Sequence, residues 1–119
     1  MFESLNKQAI AVLKQEVGDE TIVMLFDVFA EELSNYAQSL SSSPSVTETQ
    51  DICHALKSSA RSFGADSLAD LAIDCEAKAK AGCDIAVIDR LPCLQQTVSQ
   101  MADCYRQLSQ DQTLLDGLF

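Results

Sequence analysis

Apolar residues recur every three or four positions along five stretches of the chain, the spacing of one face of an α-helix. The predicted helices cover residues 5–17, 19–40, about 47–64, 66–81 and about 89–108. Gly18, Gly64 and Gly82 mark three of the helix ends, and the serine-rich residues 41–45 form a loop. The residues from Gln110 onward receive no assignment. No strand-like alternation and no repeat occurs, so the pattern predicts an all-α antiparallel four-helix bundle with an additional short N-terminal helix.

Capping residues refine the predicted helix starts. Asp19 and Asp66 are expected as N-caps, and Thr47-Glu48-Thr49-Gln50 has the spacing of a capping box. Residues 83–88 are expected to form a loop, which places Pro92 in the first turn of the last helix, where proline is tolerated.

The length of 119 residues fits a single domain over residues 1–119, with the bundle core at about 19–110 and an unassigned tail at 111–119. Apolar residues make up 47% of the chain, enough for a packed core. No apolar stretch approaches the ~20 residues of a membrane span. Residues 1–8 lack the basic and apolar segments of a secretory signal, so a cytoplasmic protein is expected.

The net charge of −10 argues against binding to nucleic acid or to anionic membranes, both of which favour basic surfaces. Half of the eight basic residues nevertheless lie between positions 57 and 80, namely Lys57, Arg61, Lys78 and Lys80. Cations concentrated near the only histidine, His54, indicate a site for an anion. From charge alone, ordinary solvated helix positions are the better explanation of these residues.

The five cysteines are odd in number and contain no Cys-x-x-Cys pair. Neither a disulfide framework nor a zinc site is expected, and no metal site is assigned. Small, buried or half-buried apolar positions explain them better, and Cys75 and Cys104, on helical apolar stripes, fit this role best.

His54 lies opposite the apolar face of the third predicted helix. At about 100° per residue, Ile52, Leu56 and Phe63 fall within a narrow arc, and His54 lies on the other side. Its neighbours there are polar: Gln50, Asp51, Lys57, Ser58 and Arg61. A histidine that served packing would lie on the apolar arc, whereas this one is placed to exchange something with a partner.

The run His54-Ala55-Leu56-Lys57-Ser58-Ser59, the later Gly64-Ala65, and Leu68, Leu71 and Glu76 resemble the histidine-containing phosphotransfer (HPt) domains of bacterial multistep phosphorelays. The resemblance covers the central third of the chain and is closest to stand-alone members of the family. Many HPt domains carry glycine where Ser58 stands. The resemblance implies that His54 is phosphorylated and that the protein carries phosphoryl groups without kinase activity of its own.

The residues around His54 suit this chemistry. A neutral imidazole nitrogen is a nucleophile that accepts a phosphoryl group and surrenders it again. Lys57, three residues on, is a surface neighbour, and its charge at ~5 Å favours a phosphoryl group by about 1–2 kcal/mol. Ser58 is small enough to leave room for a partner's active site, and Arg61 extends the cationic strip.

Glu76 is expected at the edge of the fourth helix's apolar stripe, where it can accept a hydrogen bond from Nδ1–H of His54 and leave Nε2 free. The resemblance agrees, since HPt domains commonly place a polar residue there. An i,i+4 pair between Glu76 and Lys80 is an equally good interpretation of the spacing. Lys80 is alternatively close enough to reach the phosphoryl group or a partner.

The chain has neither a P-loop nor an acidic cluster suited to Mg²⁺, so it needs no cofactor of its own. The resemblance implies a receiver domain of a hybrid sensor histidine kinase and a response-regulator receiver domain as partners, with Mg²⁺ in the receiver, and a monomeric carrier. The expected docking residues are Ala55, Ser58, Arg61, Ser62, Ala65 and Lys80. A helical adaptor that never carries phosphate is the main alternative, and a cysteine-based redox or zinc protein is a weaker one.

Overall fold

The computed structural model describes residues 4–118; residues 1–3 and 119, which belong to the predicted single domain, lie outside this range. Within it the helices are α1 (Lys7–Val17), α2 (Asp19–Ser41), α3 (Val46–Ser62), α4 (Asp66–Lys80), α5 (Asp84–Gln110) and α6 (Gln112–Asp116). The described residues contain no strand. The predicted all-α bundle with a short N-terminal helix is confirmed.

Two helix pairs build the bundle. Helix α2 packs along α5 and α3 packs along α4, while contacts between α4 and α5 join the pairs into a body of 42 × 22 × 21 Å. Helix α1 lies against α2 and α3 at one end. Among the described residues, no helix has both the length and the apolar character that crossing a membrane requires.

An aromatic cluster fixes the end of α3 against α2 and α5. The ring of Phe63 stacks on Phe29 with 4.3 Å between centroids, and Tyr105 meets Phe29 edge-on at 4.8 Å. The Tyr105 hydroxyl donates a 2.5 Å hydrogen bond to the carbonyl of Phe63. Burial raises the pKa of the Tyr105 phenol, which keeps this donor protonated. Phe63 itself is half-buried, so it packs on the core as expected without being enclosed by it.

Gly64 closes α3 and brings α1 next to it. Its φ of +79° favours glycine, and a Cβ at this position would lie 2.7 Å from the carbonyl oxygen of Asn6. The backbone N–H of Asn6 donates a 2.7 Å hydrogen bond to the carbonyl of Gly64. The backbone N–H of Ala65 donates a 2.8 Å hydrogen bond to the carbonyl of Ala60. The predicted role of Gly64 as the helix end is therefore correct, although α3 ends at Ser62.

The predicted N-caps Asp19 and Asp66 are wrong by one residue. Both are the first residues of their helices, and Gly18 and Ala65 occupy the cap positions without a side-chain hydrogen bond. The carboxylate of Asp66 instead accepts a 2.9 Å hydrogen bond from the side chain of Asn6. A carboxylate in the first turn still favours the helix through the macrodipole.

Helix α3 starts earlier than the expected Thr47–Gln50 capping box. Ser45 is the N-cap, with its hydroxyl 3.1 Å from the amide of Glu48 and 3.2 Å from Oε1 of that residue. The N-cap therefore lies two residues upstream of the expected one, because Ser45 has the extended backbone that an N-cap requires.

The expected loop at residues 83–88 is helical, since α5 begins at Asp84. Ile85 and Ile88 are 78% and 59% exposed and Val87 alone is buried there, so no apolar stripe marks this helical segment. Pro92 lies well inside the helix rather than in its first turn. Because Pro92 has no backbone N–H, the carbonyl of Ile88 has no helical hydrogen-bond donor. Both residues are exposed, so water can donate to this carbonyl instead.

The tail after α5 packs back on the bundle. Asp111 caps the short helix α6 by accepting hydrogen bonds from the amides of Thr113 and Leu114. Leu115 and Leu118 are buried against the core.

Candidate functional site

The only histidine of the sequence projects from the middle of α3 into solvent. The side chain of His54 is 67% exposed, while its neighbour Cys53 and the residue two positions on, Leu56, are fully buried. Ser58 and Arg61 are exposed on the same side as His54. The prediction that His54 faces away from Leu56 is confirmed, whereas the predicted apolar residues Ile52 and Phe63 are only half-buried.

Beneath His54 lies the buried carboxylate of Glu76, which α4 supplies. The side chain of Glu76 is 6% exposed, and its Oε2 is 2.7 Å from Nδ1 of His54. The packing of α3 along α4 produces this contact between helices, because the two residues face each other across the helix interface. The expected hydrogen-bond geometry is present.

The other carboxylate oxygen of Glu76, Oε1, lies next to two ammonium groups. Oε1 accepts a 2.7 Å hydrogen bond from Lys57 and lies 3.7 Å from Lys80. The i,i+4 pair between Glu76 and Lys80 therefore coexists with the contact to His54. The sequence left these two interpretations as alternatives, and the structure contains both.

Glu76 is held in its ionised form despite its burial. The hydrogen bond from Lys57 is the largest cause that lowers the pKa of the Glu76 carboxyl; it outweighs desolvation, and His54 and Lys80 add to it. An ionised carboxylate only accepts hydrogen bonds, so Nδ1 of His54 carries the proton. The lone pair of Nε2 is then free on the exposed side of the ring.

Lys57 differs from its expected position. It was placed on the solvent face as a free neighbour of His54, but its side chain is 32% exposed and its ammonium group is bound to Glu76. The spacing of three residues identified Lys57 correctly as a neighbour of His54. It did not identify the partner, because a long flexible side chain can turn to either group.

The remaining predicted docking residues do not all reach the surface. Ser58 and Ser62 are exposed and Ala55 is half-buried on the His54 side of α3. Ala65 is only 2% exposed, so its assignment to a docking surface is wrong. The turn after Gly64 directs Ala65 into the core.

The cations of this region are mostly paired. Arg61 lies 3.5 Å from Asp70 on α4, and Lys78 lies 2.5 Å from Asp74. Sequence reasoning missed both acidic partners. The i,i+4 spacing of Asp74 and Lys78 is a signal that would have identified that pair. Lys78 therefore faces away from Glu76 and does not join the site.

Three of the five cysteines are buried as expected, and two are not. Cys53, Cys75 and Cys104 are free and buried, while Cys83 and Cys93 are free and exposed. Burial raises the pKa of Cys104 to about 11. Over residues 4–118, no group of three or more histidine, cysteine or carboxylate side chains is arranged to hold a metal ion.

Comparison with known proteins identifies the family of this chain. Residues 20–111 match the model of the Hpt domain family. The chain is 39% identical over 105 residues to phosphorelay protein LuxU of Vibrio vulnificus (strain YJ016), covering 80% of this chain and 91% of that protein. It is 33% identical over 111 residues to phosphorelay protein LuxU of Vibrio cholerae serotype O1, covering 91% of this chain and 98% of that protein. No solved structure matches significantly. The chain belongs to the Hpt domain family.

Proposed function

We propose that this chain is a phosphoryl carrier of a multistep two-component phosphorelay, with His54 as the residue that is phosphorylated. His54 receives the phosphoryl group from an aspartate in the receiver domain of a hybrid sensor histidine kinase and passes it to a response-regulator receiver domain. One observation carries this proposal: the exposed imidazole of His54 has its Nδ1 bound 2.7 Å from the buried carboxylate of Glu76. That arrangement leaves Nε2 as an accessible nucleophile.

The transfer step follows from this tautomer. The lone pair of Nε2 attacks the phosphorus of the receiver's aspartyl phosphate, so an N–P bond forms and the P–O bond to the aspartate breaks. The aspartate leaves as a carboxylate. The imidazole ring keeps its Nδ1 proton and gains a positive charge, which the Glu76 carboxylate stabilises. The return transfer is the reverse of this step, so a site with moderate stabilisation serves both directions.

In this proposal the metal ion belongs to the partner. In the receiver domain, Mg²⁺ would neutralise the phosphoryl oxygens during transfer. This chain offers a rigid nucleophile and the surrounding surface of Ala55, Ser58 and Ser62, whose small side chains let the receiver's active site approach. We propose that the carrier acts as a cytoplasmic monomer that exchanges between its partners.

Transfer from a labelled receiver domain tests the proposed function. A receiver domain carrying radioactive phosphate on its aspartate is mixed with the chain, and label on the chain is followed over time. We expect rapid labelling that is lost in acid and retained in base, as for a phosphoramidate, and no labelling of His54→Gln. Labelling that persists in His54→Gln, or label that withstands acid, would contradict the proposal.

The same experiment distinguishes a carrier from a helical adaptor. An adaptor would bind the receiver domain equally well with and without His54 and would take up no label. Circular dichroism of His54→Gln confirms that its bundle is intact, which is expected because residue 54 is exposed.

A further inference from the structure

Behind His54 lies one buried carboxylate, that of Glu76, with two ammonium groups next to it. Within residues 4–118, Glu76 is the charged residue that is buried, and its Oε1 faces both Lys57 and Lys80. Lys57 makes a hydrogen bond of 2.7 Å, whereas Lys80 remains 3.7 Å away and its side chain is 55% exposed. Before phosphorylation, therefore, Lys57 makes the hydrogen bond to Glu76, and Lys80 lies nearby without making one.

Phosphorylation of His54 places a second negatively charged group near Lys57. A phosphoryl group on Nε2 adds nearly two negative charges on the exposed side of His54, three residues before Lys57 on the same helix face. The flexible stem of Lys57 lets its ammonium group turn from Glu76 towards the phosphoryl oxygens. Glu76 would then lose its strongest partner while buried, which is costly for a carboxylate.

We infer that Lys80 is a positioning residue that takes the place of Lys57 on Glu76 when Lys57 turns to the phosphoryl group on His54. The inference rests on the proposed function and concerns the same site. Lys80 lies one helical turn after Glu76, so a change of side-chain rotamer closes the remaining distance without moving the backbone. The exchange keeps Glu76 ionised and bound to Nδ1–H of His54 while the ring carries its positive charge.

Other cations near the site are less suited to this replacement. Arg61 pairs with Asp70 at 3.5 Å, and Lys78 pairs with Asp74 at 2.5 Å. Lys78 is on the same helix as Lys80 and also makes an i,i+4 ion pair, but its partner is Asp74 rather than Glu76. Lys78→Gln is therefore a matched control for Lys80→Gln.

The first experiment needs no phosphate. The carboxyl carbon of Glu76 is followed by NMR during pH titration in the unsubstituted protein, Lys57→Ala, Lys80→Gln and the double variant. Since Lys80 replaces Lys57, we expect the pKa of Glu76 in Lys57→Ala to stay below its ordinary value of 4.5. In the double variant we expect a higher pKa than in Lys57→Ala, because neither ammonium group is then next to Oε1. Equal pKa values in Lys57→Ala and the double variant would overturn the inference.

The second experiment measures phosphorylation of His54 by phosphoramidate, a small phosphoryl donor that requires no docking. Lys80→Gln should slow labelling roughly two- to fivefold, the effect of one partly exposed ion pair, and Lys78→Gln should leave the rate unchanged. The double variant should be no slower than Lys57→Ala, because no ammonium group then has to leave Glu76. Equal slowing by Lys80→Gln with and without Lys57 would place Lys80 on the phosphoryl group itself and overturn the inference.

The two experiments separate this inference from the proposed function. If the unsubstituted protein takes label at His54 and Lys80→Gln behaves like Lys78→Gln, the exchange is wrong and the carrier function stands. If the unsubstituted protein takes no label from phosphoramidate or from a receiver domain, the proposed function and the exchange are both wrong.

Discussion

Glu76, a buried residue of α4, holds Nδ1 of the exposed His54 at 2.7 Å, so that one side of the imidazole is bound inside the protein and the other faces solvent. This relationship determines which ring nitrogen is available for chemistry. It also makes the orientation of a surface side chain depend on the packing of α3 along α4.

Replacing Glu76 tests this dependence through pH. The folded pKa of Glu76 is lowered, so its carboxylate stabilises the fold above its ordinary pKa of 4.5, and this contribution is lost as pH falls through the folded pKa. Glu76→Gln should cost about 1 kcal/mol of unfolding free energy at neutral pH. The difference from the unsubstituted protein should shrink in acid. Chemical denaturation at several pH values measures it; a difference that stays constant down to acidic pH would contradict this account.

Lys57→Ala should affect transfer more than folding. It removes the 2.7 Å hydrogen bond to Glu76, but His54 and Lys80 still contact that carboxylate, so the unfolding free energy should fall by only about 1 kcal/mol. Loss of the charge beside the phosphoryl group should slow transfer roughly tenfold, equivalent to about 1.4 kcal/mol of activation free energy.

Stopped-flow transfer rates and melting temperatures are measured together, with Lys78→Ala as a control because Lys78 pairs with Asp74 away from the site. A Lys57→Ala protein that melts early but transfers at the normal rate would show that Lys57 is purely structural.

The two sides of α3 should respond oppositely to substitution. Leu56 is fully buried, so Leu56→Ala should destabilise the bundle by roughly 2–5 kcal/mol. Ser58 is exposed beside His54, so Ser58→Trp should leave the fold intact and block transfer by obstructing the receiver domain. Ser62→Ala, also exposed, should change neither property by much. Unfolding of Ser58→Trp together with a harmless Leu56→Ala would show that the assigned faces are reversed.

Gly64 and Gly82 provide a matched pair, since each follows the end of a helix. Both have positive φ, +79° and +75°, so alanine at either position should cost about 1–2 kcal/mol of strain. Only at Gly64 would the new Cβ meet a neighbouring atom, the Asn6 carbonyl oxygen at 2.7 Å. Gly64→Ala should therefore be the more destabilising substitution in thermal denaturation. Equal costs would mean that the contact between α1 and the turn at Gly64 contributes nothing.

The sequence was enough to predict which residues form the site, but not every hydrogen bond between them. The narrow arc of Leu56 and its apolar neighbours was enough to place His54 in solvent, because helical periodicity determines direction. Glu76 was also predictable from its position at the edge of an apolar stripe. The hydrogen bond of Lys57 was not, since spacing restricts where a long side chain starts but not which oxygen it reaches.

Two further differences have local causes. Ala65 was expected among the small docking residues near His54, but the turn at Gly64 buries it. The start of α5 was missed because Ile85 and Ile88 are apolar yet exposed, so this segment lacks the buried stripe from which helices are inferred.

The central claim is that His54 accepts a phosphoryl group on Nε2 while Glu76 holds Nδ1–H. Long-range ¹H–¹⁵N NMR spectra of the ring, recorded before and after phosphorylation by a receiver domain, test it most directly. The account predicts the Nδ1–H tautomer before transfer and phosphorus on Nε2 afterwards. A phosphoryl group on Nδ1, or a ring that is unchanged after incubation with the phosphorylated receiver, would contradict it.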